Sequence, residues 1–139
     1  MTNPTQEQRS KPLLLKVDCV QVPVPSIAEG IDFYCGKLGH ELNWRSETQA
    51  GVRMPNTDAE LVLQIDRKQP EVDLLVESVD DAVVRITEGG GSVVTEPFDI
   101  PVGRVAVVAD PFGNLLVLID LSKGRYQTDA DNNITGVAH

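Results

Sequence analysis

The chain has 139 residues, about one domain's worth and enough to bury a real core. Its 41% hydrophobic and 24% charged residues suit a globular protein, and no apolar run is long enough to span a bilayer. A formal net charge of −9 argues against nucleic acid, which needs clustered Lys and Arg; surface acids of this kind keep a protein soluble, or attract a cationic ligand or a metal.

Residues 1–12 are polar, contain Pro4 and Pro12, and read as a flexible N-terminal segment without the hydrophobic core of a signal peptide or anchor. A cytoplasmic location is the default expectation. Leu14 to Val24 reads as a strand, its far end marked by Pro23 and Pro25 as an edge or an exit from the sheet. Ser26 and Glu29 form a capping box for a helix whose apolar stripe is Ile27, Ile31, Tyr34 and Leu38, ended by Gly36 and Gly39. Further strands follow to Asp66, separated by turn chemistry at Gln49-Ala50-Gly51 and Pro55-Asn56-Thr57-Asp58. Leu61, Leu63 and Ile65 share one face of the last of these, opposite Val62, Gln64 and Asp66.

The pattern then repeats. Glu71 to Ser78 leads into Val79 to Ile86 as Cys19 to Ser26 leads into Ile27 to Tyr34, 52 residues earlier. Leu61-Val62-Leu63 returns as Leu116-Val117-Leu118, 55 residues on, so the chain is a duplicated strand–helix–strands module. In each first strand an apolar set (Val20, Val22, Val24; Val72, Leu74, Val76) alternates with a mixed set (Cys19, Gln21; Glu71, Asp73). Ser78 caps the second helix and Val79, Val83 and Ile86 form its stripe. Gly89-Gly90-Gly91 follows that helix, where it reads as a C-cap; a phosphate cradle needs its glycines before a helix. Val93, Val94 and Arg104 to Ala109 supply strands. Asp110-Pro111-Phe112-Gly113 suits a type I turn, and Leu115 to Leu121 closes the sheet. Residues 123–139 read as a flexible C-terminal tail.

The repeat, the helix ending Asp32-Phe33-Tyr34 with Lys37-Leu38-Gly39, and Asp110-Pro111-Phe112-Gly113-Asn114 before the last strand together resemble the vicinal oxygen chelate superfamily over residues 13–122. That superfamily contains glyoxalase I, extradiol dioxygenases, fosfomycin-resistance enzymes and bleomycin-binding proteins. Pro97 to Arg104 is similar to a functionally unassigned subgroup of it. The resemblance implies an α+β fold: two tandem βαβββ modules, 13–68 and 69–122, forming a curled mixed sheet around a cup. It also implies four metal-ligand positions, which map onto Cys19, Val62, Glu71 and Val117. Two of these side chains carry no donor atom, and neither His40 nor His139 lies on the mapped face, so neither a metal nor another cofactor is expected.

The remaining expectation is a metal-independent cup for a small organic ligand, lined by Cys19, Gln21, Trp44, Val62, Gln64, Glu71, Asp73, Arg104 and Val117. Two enzymatic alternatives stay open. One is a lyase, isomerase or dioxygenase of the glyoxalase type with an atypical oxygen-rich metal site; the other is a metal-free acid/base enzyme using Glu71 or Asp73. Cys19 and Cys35 are expected reduced, and an exposed edge between the modules favours a homodimer.

Overall fold

The computed structural model describes residues 11–139. Residues 1–10, most of the expected N-terminal segment, lie outside the described residues. The first module comprises β1 (Lys16–Pro23), α1 (Ile27–Ile31) running into a π-helical stretch (Asp32–Lys37), β2 (Leu42–Arg45), β3 (Gln49–Arg53) and β4 (Glu60–Gln64). The second comprises β5 (Glu71–Leu75), α2 (Val79–Glu88), β6 (Ser92–Ile100), β7 (Gly103–Ala109) and β8 (Leu115–Asp120). Two more strands follow, β9 (Arg125–Thr128) and β10 (Ile134–Ala138).

The two modules share one eight-stranded mixed sheet in the order β2-β3-β4-β1-β5-β8-β7-β6. The fold is therefore the expected α+β arrangement of two βαβββ modules. Their first strands pair antiparallel at the centre, with Cys19 opposite Asp73, Val20 opposite Val72 and Gln21 opposite Glu71. Each first strand then runs parallel to the last strand of its own module, with Gln21 beside Val62 and Asp73 beside Val117. A displacement of 52 residues carries the Cys19–Asp73 pair onto Glu71–Gln21, so the sequence repeat is also the symmetry of the central pairing.

Pro23 interrupts nothing, although β1 is central. The β5 ladder ends at Gln21–Glu71, so no β5 residue stands opposite Pro23 to receive an N–H. The same pairing closes the junction between modules, and the free sheet edges are β2 and β6. The edge on which a homodimer was expected is thus absent.

Each helix covers its own half of the sheet. Ile27, Ala50, Val52 and Leu63 form one apolar cluster under α1, and Val76, Val79, Ala82, Ala106, Val108 and Leu118 form another under α2. Ser26 and Ser78 cap the two helices through the backbone N–H groups of Glu29 and Asp81. The π-helical turn shifts the phase of the first helix. Leu38 N–H reaches back to Phe33 O, five residues, so Cys35 packs with Ile31 and Tyr34 while Leu38 is 52% exposed. Between the two helices the outer face of the central seam is uncovered, leaving Val72 exposed although it belongs to the apolar alternation.

Two segments read as loops are strands. Gly51 lies within β3 under the Trp44 indole, and a Cβ there would collide with Trp44 Nε1. Glycine serves close approach at this position, and the turn itself falls earlier, at Ser46, whose Oγ accepts from the N–H groups of Thr48 and Gln49. The expected flexible tail is a β9–β10 hairpin. Arg45 N–H donates to Asn132 O, the Asn132 side chain donates to Leu42 O, and Tyr126 stacks on Trp44 with ring centroids 4.9 Å apart. Its composition is polar because it is held by hydrogen bonds and one aromatic contact, with little apolar burial of its own.

Candidate functional site

The inner face of the curled sheet encloses a cavity of about 700 Å³ whose walls come from both modules and the hairpin. That volume suits a small organic molecule. A cup built within one chain follows from the central β1–β5 pairing, which sets the first strands of the two modules side by side.

The polar centre is a four-residue cluster on those strands. The Cys19 thiol, 3.3 Å away, and Gln21 Nε2, 2.9 Å away, both donate to Asp73 Oδ2. Arg67, from the link between modules, donates to Gln21 Oε1 and lies 3.4 Å from Glu71. Asp73 is only 4% exposed, and its Oδ1 has no hydrogen-bond partner. Burial, reinforced by the neighbouring Glu71 carboxylate, pushes the Asp73 pKa up to about 8. Burial and the adjacent Asp73 also raise the Cys19 pKa far above the ordinary thiol range, so Cys19 is a protonated hydrogen-bond donor.

A second polar group stands toward the hairpin. Glu60 accepts from Asn43 Nδ2 at 2.8 Å and from Trp44 Nε1 at 3.1 Å. Asp18 joins it by way of a bulge. Val17 pairs with Leu74 and Cys19 with Asp73, so Asp18 is the extra residue of β1 and lines the cavity beside Cys19, its neighbour in sequence. Burial and the Glu60 charge raise the Asp18 pKa. Val62, Val105, Val107, Val117 and Ile119 form the apolar wall.

Seven of the nine residues expected in the cup line it: Cys19, Gln21, Trp44, Val62, Glu71, Asp73 and Val117. Gln64 and Arg104 do not. Gln64 is fully buried at the end of β4, where its amide donates to Arg67 O and accepts from Arg67 N–H, holding the turn into the second module. Arg104 alternates with the lining residues Val105 and Val107 and so faces the other way, pairing with Asp99 at 3.0 Å and Asp80 at 3.2 Å. Asp18, Asn43, Glu60 and Tyr126 were missed. Strict alternation places Asp18 on the wrong face, and no local signal in the sequence reveals the bulge or the hairpin that brings Tyr126 back. Glu60, by contrast, precedes Val62 by two residues and was legible from the same alternation that selected Val62. Asn43 has no such signal of its own.

The residue scale of the motif before the last strand is structural. Asp110 accepts from Phe112 N–H, Asn114 N–H and Asn114 Nδ2 and holds the turn, as the sequence implied. His40 Nδ1 donates to Arg53 O at 3.0 Å on the rim of the first module and does not line the cup.

A profile of the glyoxalase/bleomycin resistance protein/dioxygenase superfamily matches residues 16–118. The chain belongs to that superfamily. Among solved structures it is similar to methylmalonyl-CoA epimerase from Mycobacterium tuberculosis, with 19% identity, a TM-score of 0.67, and coverage of 80% of this chain and 91% of the epimerase. It is also similar to a 2,3-dioxygenase from Pseudomonas sp. KL28 (20% identity, TM-score 0.60, 93% of this chain and 49% of that one). Homoprotocatechuate 2,3-dioxygenase from Brevibacterium fuscum gives 22% identity and a TM-score of 0.58 over 79% of this chain and 37% of that one. The chain thus spans half or less of the dioxygenases, and at these identities the likeness is one of fold. No protein of curated function matches the sequence.

The superfamily's metal chemistry can be tested against the donors present. Cys19, Val62, Glu71 and Val117 all line the cavity. Two are hydrocarbon, and the Cys19 proton is held by burial and by Asp73. Among the described residues no group of three or more His, Cys, Asp or Glu side chains is placed to hold a metal ion. The donor set at these positions does not fit a divalent transition metal, which takes three or four N, O or S ligands.

Proposed function

We propose that this protein binds a small polar organic molecule in the cup and does so without a metal. The reading is carried by hydrocarbon at two of the four donor positions, Val62 and Val117, which sets apolar side chains in the cup beside Gln21 and Asp73. A few convergent polar groups against an apolar wall fix a ligand's orientation, while burial of its body supplies affinity. The excess of carboxylates among the lining residues favours neutral or cationic ligands over anions. Thermal-shift screening of a metabolite library against chelator-treated protein tests this directly. Saturable stabilisation by an organic compound, unchanged by chelator, is the expected result; stabilisation that vanishes with chelator and returns with a transition metal contradicts it.

One observation favours a second reading, acid/base catalysis on a bound carbonyl compound. Asp73 is a buried carboxyl with a raised pKa beside a second carboxylate, Glu71, the arrangement that lets one group hold a proton while the other accepts one. Exchange of the proton alpha to the carbonyl of a bound ligand, followed in deuterated water, distinguishes the two. Exchange abolished by Glu71→Gln or Asp73→Asn supports catalysis; a bound ligand that does not exchange supports the binding protein.

A further inference from the structure

The two modules treat the same stretch of wall differently. In the first, a row runs across the strands from Gln21 through Val62 and Gly51 to Trp44. In the second, the equivalent row runs from Asp73 through Val117 and Val107 to Thr95. Trp44 lays its indole over Gly51, and with Tyr126 and Ile134 it packs on Val62, which is only 4% exposed. The first half of the cup is thus filled by the chain's own side chains. Thr95 has no ring to lay over Val107, and the hairpin packs on the other half, so Val107 and Val117 are half-buried and Thr95 is exposed. One step along the same face Phe98 stands opposite Val105, lines the cavity and is 44% exposed. Strands β6, β7 and β8 contribute no charged side chain to the lining. This hydrocarbon is the inside of a curled sheet in a cavity of about 700 Å³, a space that admits a small molecule and not a folded partner.

We propose that the cup takes a ligand with an uncharged, flat aromatic ring system, which lies on Val107 and Val117 with Phe98 beside it, in the place that the Trp44 indole holds in the first module. The assignment rests on the reading of the cup as a small-molecule site and names the chemical class it takes. Flatness follows from the matching row, where a bicyclic ring is what covers the wall. Absence of charge follows from the lining of β6, β7 and β8, since a charge buried there would find no partner on those strands. Phe98 adds a ring that an aromatic ligand can meet edge to face. Thr95 is the residue that keeps the place open, because its side chain is too small to fill it.

Titration of valine-methyl-labelled protein at neutral pH with 2-naphthol, its saturated counterpart decahydro-2-naphthol, and 2-naphthoate, followed by NMR, tests the assignment. 2-Naphthol is expected to bind saturably and several-fold more tightly than the saturated alcohol, and 2-naphthoate not to bind. The shifts should fall on the methyls of Val107 and Val117 and leave Val62 nearly unmoved. Val107→Thr and Val117→Thr, each checked for native circular dichroism, put a hydroxyl in the wall and should each weaken 2-naphthol several-fold. Thr95→Trp supplies from within the ring that the ligand supplies and should abolish binding, while Val94→Thr, exposed on β6 outside the cup, should change nothing. Preference for 2-naphthoate, equal affinity for the two alcohols, shifts confined to Val62, indifference to all three cup substitutions, or failure of 2-naphthol to bind each overturns the assignment, and the library screen still judges the broader reading separately. A dimer whose dissociation on dilution moves the Val107 and Val117 methyl signals gives this wall to a second copy and overturns it as well.

Discussion

Asp73 sits in an environment far from that of a free side chain. Its raised pKa means that the folded state binds a proton more tightly than the unfolded chain does. The sign then follows: its contribution is fully present below the unfolded carboxylate pKa, declines as pH rises, and is lost by about pH 8. Asp73→Asn keeps the shape and the contacts to Cys19 and Gln21 but cannot ionise. It is therefore expected to raise the thermal midpoint by several degrees at pH 9 and by little at pH 5; equal shifts at both would contradict the account. Gly51 is the second sensitive position. Gly51→Ala drives a methyl into the Trp44 indole and should cost about 1–3 kcal/mol in denaturant unfolding, with a blue- or red-shifted Trp fluorescence maximum because Trp44 is the single tryptophan. In the sequence Gly51 carries turn chemistry, and only the packing of an indole from the neighbouring strand makes it a strand glycine.

At the scale of elements, the hairpin distinguishes this cup from a bare pair of modules. Tyr126 is its one aromatic contact, and Tyr126→Ala should destabilise the fold by about 1–2 kcal/mol through the lost ring pair and burial, and should weaken any ligand that lies on Trp44. A ligand affinity untouched by this substitution would remove the hairpin from the site. Hydrogen bonds from Asn132 to the β2 carbonyls hold the hairpin, and such contacts leave no periodicity to read. The strands and helices of the repeat were legible because their apolar residues recur at the periods their geometry demands. The bulge at Asp18 was not, because one extra residue in β1 changes the face of a side chain without changing composition. The π-helical turn at Asp32–Lys37 hid in the same way, exchanging Leu38 for Cys35 on the packed stripe.

Over the whole molecule, the two modules are joined by a symmetric pairing of first strands and share one cavity, so burial there serves both halves at once. Asp120 ties the second half together. It receives N–H groups from Val79, Arg104 and Ser122 and the Ser122 hydroxyl. Burial alone would raise its pKa, yet these donors outweigh burial and hold it below the ordinary carboxylate value. Stability from Asp120 is present above the unfolded carboxylate pKa and is lost as pH falls through the lower folded one, so acid unfolding should shift to higher pH in Asp120→Asn. The superfamily and its fold were readable from the 52-residue repeat and the Asp110-to-Asn114 turn; which charges of the cup pair with one another was not, because that depends on contacts between distant strands and loops. The central claim, that hydrocarbon at Val62 and Val117 leaves a cup that works without a metal, is tested most directly by elemental analysis of protein purified without chelator. The account predicts transition metal far below one atom per chain and ligand binding indifferent to chelation. One tightly held zinc, nickel, manganese or iron per chain, lost together with ligand binding on chelation, would contradict it.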